Sequence, residues 1–348
     1  MKHWRDSATP GCGCEAAAVA SFSALLPVRG SDAARTGRPM KNSRAAGLIC
    51  PDCHASLDSP ERCIACGLEF PLHGTIRKVM AQRPRSVTVD YHPTDPILPP
   101  DDVMRFPARS GQQRGAVYHL DLAHAEVLMA LPKGSRILEV GCGGGQMRAW
   151  AQAQGLDYVG IDVASDRVHD WLREHGGPDF YADAHALPFA DAQFDAVYAA
   201  AVWEHLAVPA LATQEALRVL KPGGVMLGSM SFLEPWHDAS QMHMTPSGID
   251  RMLRLAGFSP RLIWPEIRWS GFRAIMEMGN KATRALRALS WLAYGAYLAP
   301  KVAQHLLRAR RWPRWDDLYH PVATIAGAIA WIADKPGPAT AAPLQGGE

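Results

Sequence analysis

A short strand-like run, Arg136-Ile137-Leu138-Glu139-Val140, leads directly into Gly141-Cys142-Gly143-Gly144-Gly145, and no other local pattern in the chain restricts the fold as much. Glycines at alternate positions, Gly141, Gly143 and Gly145, let the backbone turn tightly and come close to a ligand, because no Cβ intervenes. Such loops at the carboxyl ends of parallel strands are where open α/β sheets hold small molecules.

The residues around this turn extend the pattern. A helical spacing of apolar residues over 113–131 ends at Pro132-Lys133-Gly134. After it, strands are expected at 136–140, 158–161, 179–181, 194–198, 225–229 and 260–264, with helices over about 146–154, 166–175, 210–220 and 246–256. Alternation at this spacing implies parallel strands joined by crossover helices, an α/β class with a doubly wound, Rossmann-like sheet. The expected divisions are a disordered extension (1–44), a small cysteine-rich module (45–80), a Pro-rich linker (81–112), the sheet domain (113–265), a C-terminal helical region (266–335) and a disordered tail (336–348). Met40 reads as a candidate natural start.

The chemistry of the loop narrows its ligand. A dinucleotide site reads Gly-x-Gly-x-x-Gly, whereas here Glu139 precedes the glycines and disfavours a pyrophosphate. A carboxylate at that point suits a cationic ligand, and S-adenosylmethionine carries an ammonium and a sulfonium. Asp162 closes the second strand about 20 residues on, where a carboxylate accepts hydrogen bonds from ribose hydroxyls.

Five further pieces follow in order: Gly160-Ile161-Asp162, Ala182-Asp183-Ala184-His185-Ala186-Leu187-Pro188-Phe189, Phe194-Asp195-Ala196-Val197, Glu204-His205-Leu206, and Arg218-Val219-Leu220-Lys221-Pro222-Gly223-Gly224. With these, the stretch over about 113–265 resembles the class I methyltransferase family, in particular its branch acting on small molecules and lipids. The resemblance implies S-adenosylmethionine as cofactor, with Gly141 and Gly143 facing its methionine part, Gly145 completing the cofactor-binding loop, Glu139 toward the ammonium and Asp162 on the ribose. It also implies that Asp183 and Ala184 bracket the adenine. Gln146 reads either as a further polar contact or as a solvated helix residue.

Methyl transfer to a hydroxyl needs a proton acceptor as well as alignment. His205, after the fourth strand, and His237, in the loop after the fifth, are the candidate catalytic residues. His243 lies nearby, and His205 also reads as a residue that merely opens the next helix. The segment 232–245 gathers aromatics, histidines and acids as a candidate substrate wall or lid. An Asn-Pro-Pro-Tyr type sequence is absent after the fourth strand, which weighs against methylation of an exocyclic base nitrogen.

Seven cysteines include Cys50-Pro51-Asp52-Cys53 and Cys63-Ile64-Ala65-Cys66. Two Cys-x-x-Cys pairs without an export signal point to metal binding in a reducing compartment, here structural Zn²⁺ held by Cys50, Cys53, Cys63 and Cys66. This stretch resembles the small zinc ribbons that accompany some methyltransferases. The chain is therefore expected to be cytoplasmic.

A formal charge of +2 lacks the basic excess of a dedicated nucleic-acid binder. In the C-terminal region Trp291, Trp312, Trp315 and Trp331 stand near Arg308-Ala309-Arg310-Arg311, which suits either peripheral membrane contact or a helical pair packed on the sheet. The expected acceptor is a small or lipid-linked molecule, with O-methylation preferred. An RNA methyltransferase and a non-catalytic cofactor-binding scaffold are the alternatives.

Overall fold

The computed structural model describes residues 47–59, 61–89, 102–109, 117, 119–163 and 175–337. The expected extension over 1–44, all but the last residue of the helix expected over about 166–175 and nearly all of the tail lie outside the described residues.

Among the described residues nine strands, numbered in chain order, form one sheet in the order β1-β2-β5-β4-β3-β6-β7-β9-β8. Its centre is the expected parallel core: β3 (Arg136–Val140), β4 (Asp157–Asp162), β5 (Phe180–Tyr181), β6 (Phe194–Ala200) and β7 (Leu220–Ser231). The strand order reverses at β3, which pairs with β4 on one side and β6 on the other. That reversal opens the crevice in which a doubly wound sheet binds its ligand. Apolar residues fill both faces, with Leu138 and Val159 in one buried cluster and Ile137 and Tyr158 in the other.

Helix α1 (Leu122–Met129) leads into the sheet, capped by the Asp121 carboxylate, which accepts from the Ala123 N–H. It is shorter than the 113–131 spacing predicts. Helix α2 (Met147–Ala153) follows the glycine loop, and α3 (Pro209–Val219) has its proline in the first turn, where no backbone donor is lost. Helix α4 (Pro246–Leu255) is capped by Thr245, and β8 (Ser259–Pro265) follows it.

The region beyond residue 266 differs from its expectation. It contains helices α5 (Gly271–Glu277), α6 (Lys281–Ala285), α7 (Leu289–Ala309) and α8 (Tyr319–Ala323), then ends in strand β9 (Ala328–Asp334). This strand lies between β7 and β8, antiparallel to both. It is buried on both faces from Ala328 to Ala333, so its sequence shows no in-out alternation and reads equally as a helix segment. Gly228 on β7 sits opposite Trp331, and a Cβ there would lie 2.4 Å from the indole. The sheet therefore closes only with glycine at 228.

The cysteine-rich module shares this framework. Its hairpin, β1 (Leu72–His73) and β2 (Ile76–Lys78), extends the sheet through parallel pairing of β2 with β5. Leu48, Leu68, Phe70 and Val79 belong to the same buried cluster as the central strands. Among the described residues no helix is long and apolar enough to cross a membrane.

Candidate functional site

Each of the three loop glycines has a positive φ: 70° at Gly141, 53° at Gly143 and 80° at Gly145. Residues with a Cβ adopt that region only at a cost. Space is also closed: a Cβ at Gly141 would lie 2.3 Å from Val202 Cγ2, and one at Gly145 would lie 2.8 Å from the Gly177 carbonyl oxygen.

Asp162, at the end of β4, braces the same turn. One carboxylate oxygen accepts from the Gly143 N–H at 2.8 Å and the other from the Val163 N–H at 2.8 Å. Glu139 is buried at the end of β3 and accepts the phenolic hydrogen of Tyr158. Burial pushes its carboxyl up to about 8, against the opposing effects of that hydrogen bond and of the nearby Arg148 charge. The Arg148 guanidinium packs over the Tyr158 ring and pairs with Asp179 at 3.0 Å, while Asp179 accepts from the Gly160 N–H. Gln146 opens α2 with its Oε1 buried and without a hydrogen-bond partner among the described residues. Burial pushes the Cys142 thiol far up, which keeps it an inert packing group.

Asp183 caps a single 3₁₀ turn over Ala184–Ala186, accepting from the His185 N–H at 2.9 Å and from His185 Nδ1 at 2.6 Å. His185 Nε2 accepts from the Val208 N–H, so the ring's hydrogen is on Nδ1. Burial opposes ionisation of Asp183, yet these hydrogen bonds hold its carboxyl below the usual range. Ala184 is buried beside it.

After β6 the chain passes through Ala201, at φ 54°, into a 3₁₀ turn over Trp203–His205. His205 and His237 come together with ring centroids 5.4 Å apart, and His243 lies 6.0 Å from His237. Glu204 is fully buried between them and β7, where Ser231 Oγ lies 2.9 Å from its Oε1. The carbonyl of Glu204 accepts from the N–H groups of Gln241 and Met242, which fastens the 232–244 loop over the turn. Beside it opens a cleft of about 480 Å³ lined by Phe232, Leu233, Pro235, Phe272, Ile275 and Ile325, with Glu234 and Gly271 completing the wall.

The four cysteines form the second cluster. Their sulfurs lie within 4.8 Å of one another, with Cys50–Cys66 at 3.6 Å and Cys53–Cys63 at 3.5 Å. Four thiolates about 2.3 Å from a tetrahedral zinc stand about 3.8 Å apart, so the donor set fits that ion. The two halves repeat one pattern: Cys50 N–H donates to Ala55 and Cys63 N–H to Leu68, while Cys50 and Cys63 carbonyls accept from His54 and Gly67. His54 and Gly67 both have positive φ.

Sequence reasoning did not single out Tyr158, Arg148, Asp179, Ser231 or Glu234 as site residues. Each acts across strands or loops, and none carries a short-range motif.

Residues 138–228 match a family model described as a methyltransferase domain. A 2-methyl-6-phytyl-1,4-hydroquinone methyltransferase of Synechocystis sp. is 36% identical over 118 residues, covering 31% of this chain and 37% of that protein. A malonyl-(acyl-carrier protein) O-methyltransferase of Enterobacter lignolyticus is 32% identical over 143 residues, covering 37% of this chain and 54% of that protein. The chain thus spans about half or less of the curated relatives it matches. Among solved structures, the (4+2)-cyclase SpnF is 25% identical with a TM-score of 0.40, covering 61% of this chain and 80% of that one. From Leu138 to Gly228 the chain thus matches the methyltransferase-domain family.

Proposed function

We propose that the protein transfers a methyl group from S-adenosylmethionine to an oxygen of a small or lipid-linked acceptor. The observation that carries this reading is the buried carboxylate of Glu139 beneath three positive-φ glycines. S-adenosylmethionine supplies an electrophilic methyl group when bound. Glu139 and the unpartnered Gln146 Oε1 would receive its ammonium, the glycine loop its methionine backbone, and Asp162 its ribose. Asp183, oriented by His185, and Ala184 would flank the adenine. Because displacement at the methyl carbon is in line, most of the protein's contribution is alignment and exclusion of water.

His205 and His237 would meet the acceptor oxygen, and the cleft beside Glu234 would hold an apolar acceptor body. The names of the two curated relatives support such acceptors, one a phytylated hydroquinone and the other an acyl-carrier conjugate. A lipid-linked acceptor also suits the exposed Leu292, Leu307 and Trp312, the last two close in sequence to Arg308 and Arg310. Flotation with anionic vesicles at low salt tests that contact, and protein remaining at the bottom of the gradient overturns it. We assign the four cysteines to one structural Zn²⁺.

Purified protein incubated with methyl-labelled S-adenosylmethionine and fractionated cell pools tests the activity. Label is expected in lipid or small-molecule fractions. Label confined to RNA favours an RNA methyltransferase, and cofactor binding without label in any pool favours a non-catalytic scaffold.

A further inference from the structure

Glu204, His205 and His237 each offer one ligand atom, and the three atoms lie within 4.8 Å of one another. We propose that they form a second metal site, distinct from the four cysteines, that takes a first-row divalent transition ion such as Mn²⁺, Fe²⁺, Co²⁺ or Zn²⁺. Two imidazoles with one carboxylate is a donor set for that class, whereas Mg²⁺ and Ca²⁺ prefer oxygen throughout.

Three observations besides proximity support the site. His237 Nδ1 lies 2.9 Å from the Pro235 carbonyl oxygen, and a carbonyl only accepts, so Nδ1 bears the hydrogen. The lone pair is then on Nε2. A histidine that donates its second ring N–H to a backbone carbonyl is oriented as metal-binding histidines are. The second observation is Glu204: its Oε1 is engaged by Ser231, while its Oε2 is buried and has no hydrogen-bond partner among the described residues. A fully buried carboxylate oxygen without a donor is costly unless a cation faces it.

The third is the Ser231 hydroxyl, which lies 2.9 Å from Glu204 Oε1 and 2.7 Å from Glu234 Oε2. It has one hydrogen for two carboxylates, and Glu234 Oε2 stands 3.7 Å from His237 Nε2. A cation on the histidine side offsets the surplus negative charge of this pair. Three protein ligands leave coordination positions open, next to the cleft that shares Glu234 and Pro235. An acceptor oxygen in one of those positions is the part of the inference that rests on the methyl-transfer reading.

The site is tested without cofactor or acceptor, so its failure is separate from failure of that reading. Full-length protein, with its cysteine module intact, is titrated with Mn²⁺ and free ion is followed by electron paramagnetic resonance. One ion per chain is expected. His237→Ala and Glu204→Gln should each weaken it by at least about tenfold, while His320→Ala leaves it unchanged. Because Glu204 is buried, circular dichroism is compared across the variants, and His237→Ala in the exposed loop carries the decision if Glu204→Gln misfolds. Absence of Mn²⁺ binding to the unaltered chain, or equal affinity in His237→Ala, overturns the proposal.

Discussion

Tyr158 on β4 donates its phenolic hydrogen to Glu139 at the end of the adjacent β3, so the acidic group beneath the glycine loop is positioned by the neighbouring strand. The pair sits in a buried setting where ionisation of the carboxyl is held back until about pH 8. An ammonium ligand needs the carboxylate form.

Cofactor affinity should therefore rise with pH toward about 8, and binding at pH 7 should release protons from the protein. Calorimetry in buffers of different ionisation enthalpy measures this, and Glu139→Gln should abolish the Glu139 share of proton release. The stability of the ligand-free protein carries the opposite slope. A carboxyl raised from 4.5 to about 8 on folding contributes stability below pH 4.5 that is lost as pH climbs through 8. Relative to Glu139→Gln, the unaltered chain should lose stability across that window.

Gly141→Ala should weaken cofactor binding at least tenfold and lower stability. The left-handed backbone alone costs about 1–2 kcal/mol for a residue with a Cβ, and the new methyl meets Val202 Cγ2 at 2.3 Å. Adding Val202→Ala should restore part of the stability by removing the overlap and leaving the backbone cost. Equal melting temperatures for the single and double variants would refute this account.

Arg218 binds two motifs into one body. Its guanidinium donates to both oxygens of Glu215, to the carbonyls of Leu187 and Phe189, and to Asp191, while Glu215 also accepts from the Leu187 N–H. The segment from Leu187 to Asp191 is thus locked to helix α3. Arg218→Gln leaves a nearly buried Glu215 with Arg85, 3.9 Å away, as its remaining cation among the described residues. A loss on the order of 3 kcal/mol is expected in urea unfolding. Lysine should recover little, since it cannot make the forked contact.

Mass spectrometry under native conditions should find one zinc per chain in the cysteine module, absent in Cys50→Ser/Cys63→Ser. Both cysteines belong to the buried cluster that holds Phe70 and Phe180. The double variant should therefore lower the melting temperature of the whole protein rather than unfold a separate bead.

The parts legible in the sequence are those written in local chemistry. The glycine loop needs its residue type at each turn position, and β3, β4 and β6 announce themselves by β-prone runs between turn signals. Strand β9 was not legible, because Trp331 and its neighbours are buried on both faces and pair with strands about 70 and 100 residues away. Separations of 19 and 27 residues likewise hide Tyr158 behind Glu139 and Ser231 beside Glu204, and separations of 27 to 31 residues hide the loop acceptors around Arg218. A single sequence shows which residues can do chemistry, while long-range pairing decides which of them meet.

The sheet is finished at both ends by chain that precedes its first central strand. At one end β2 lies against β5; at the other, Val103 and Met104 bond to Ile263 on β8. Unprotected strand edges act as templates for other chains. Removing residues 47–109 would bare both of these edges at once, and the shortened protein is expected to self-associate more readily than the whole chain.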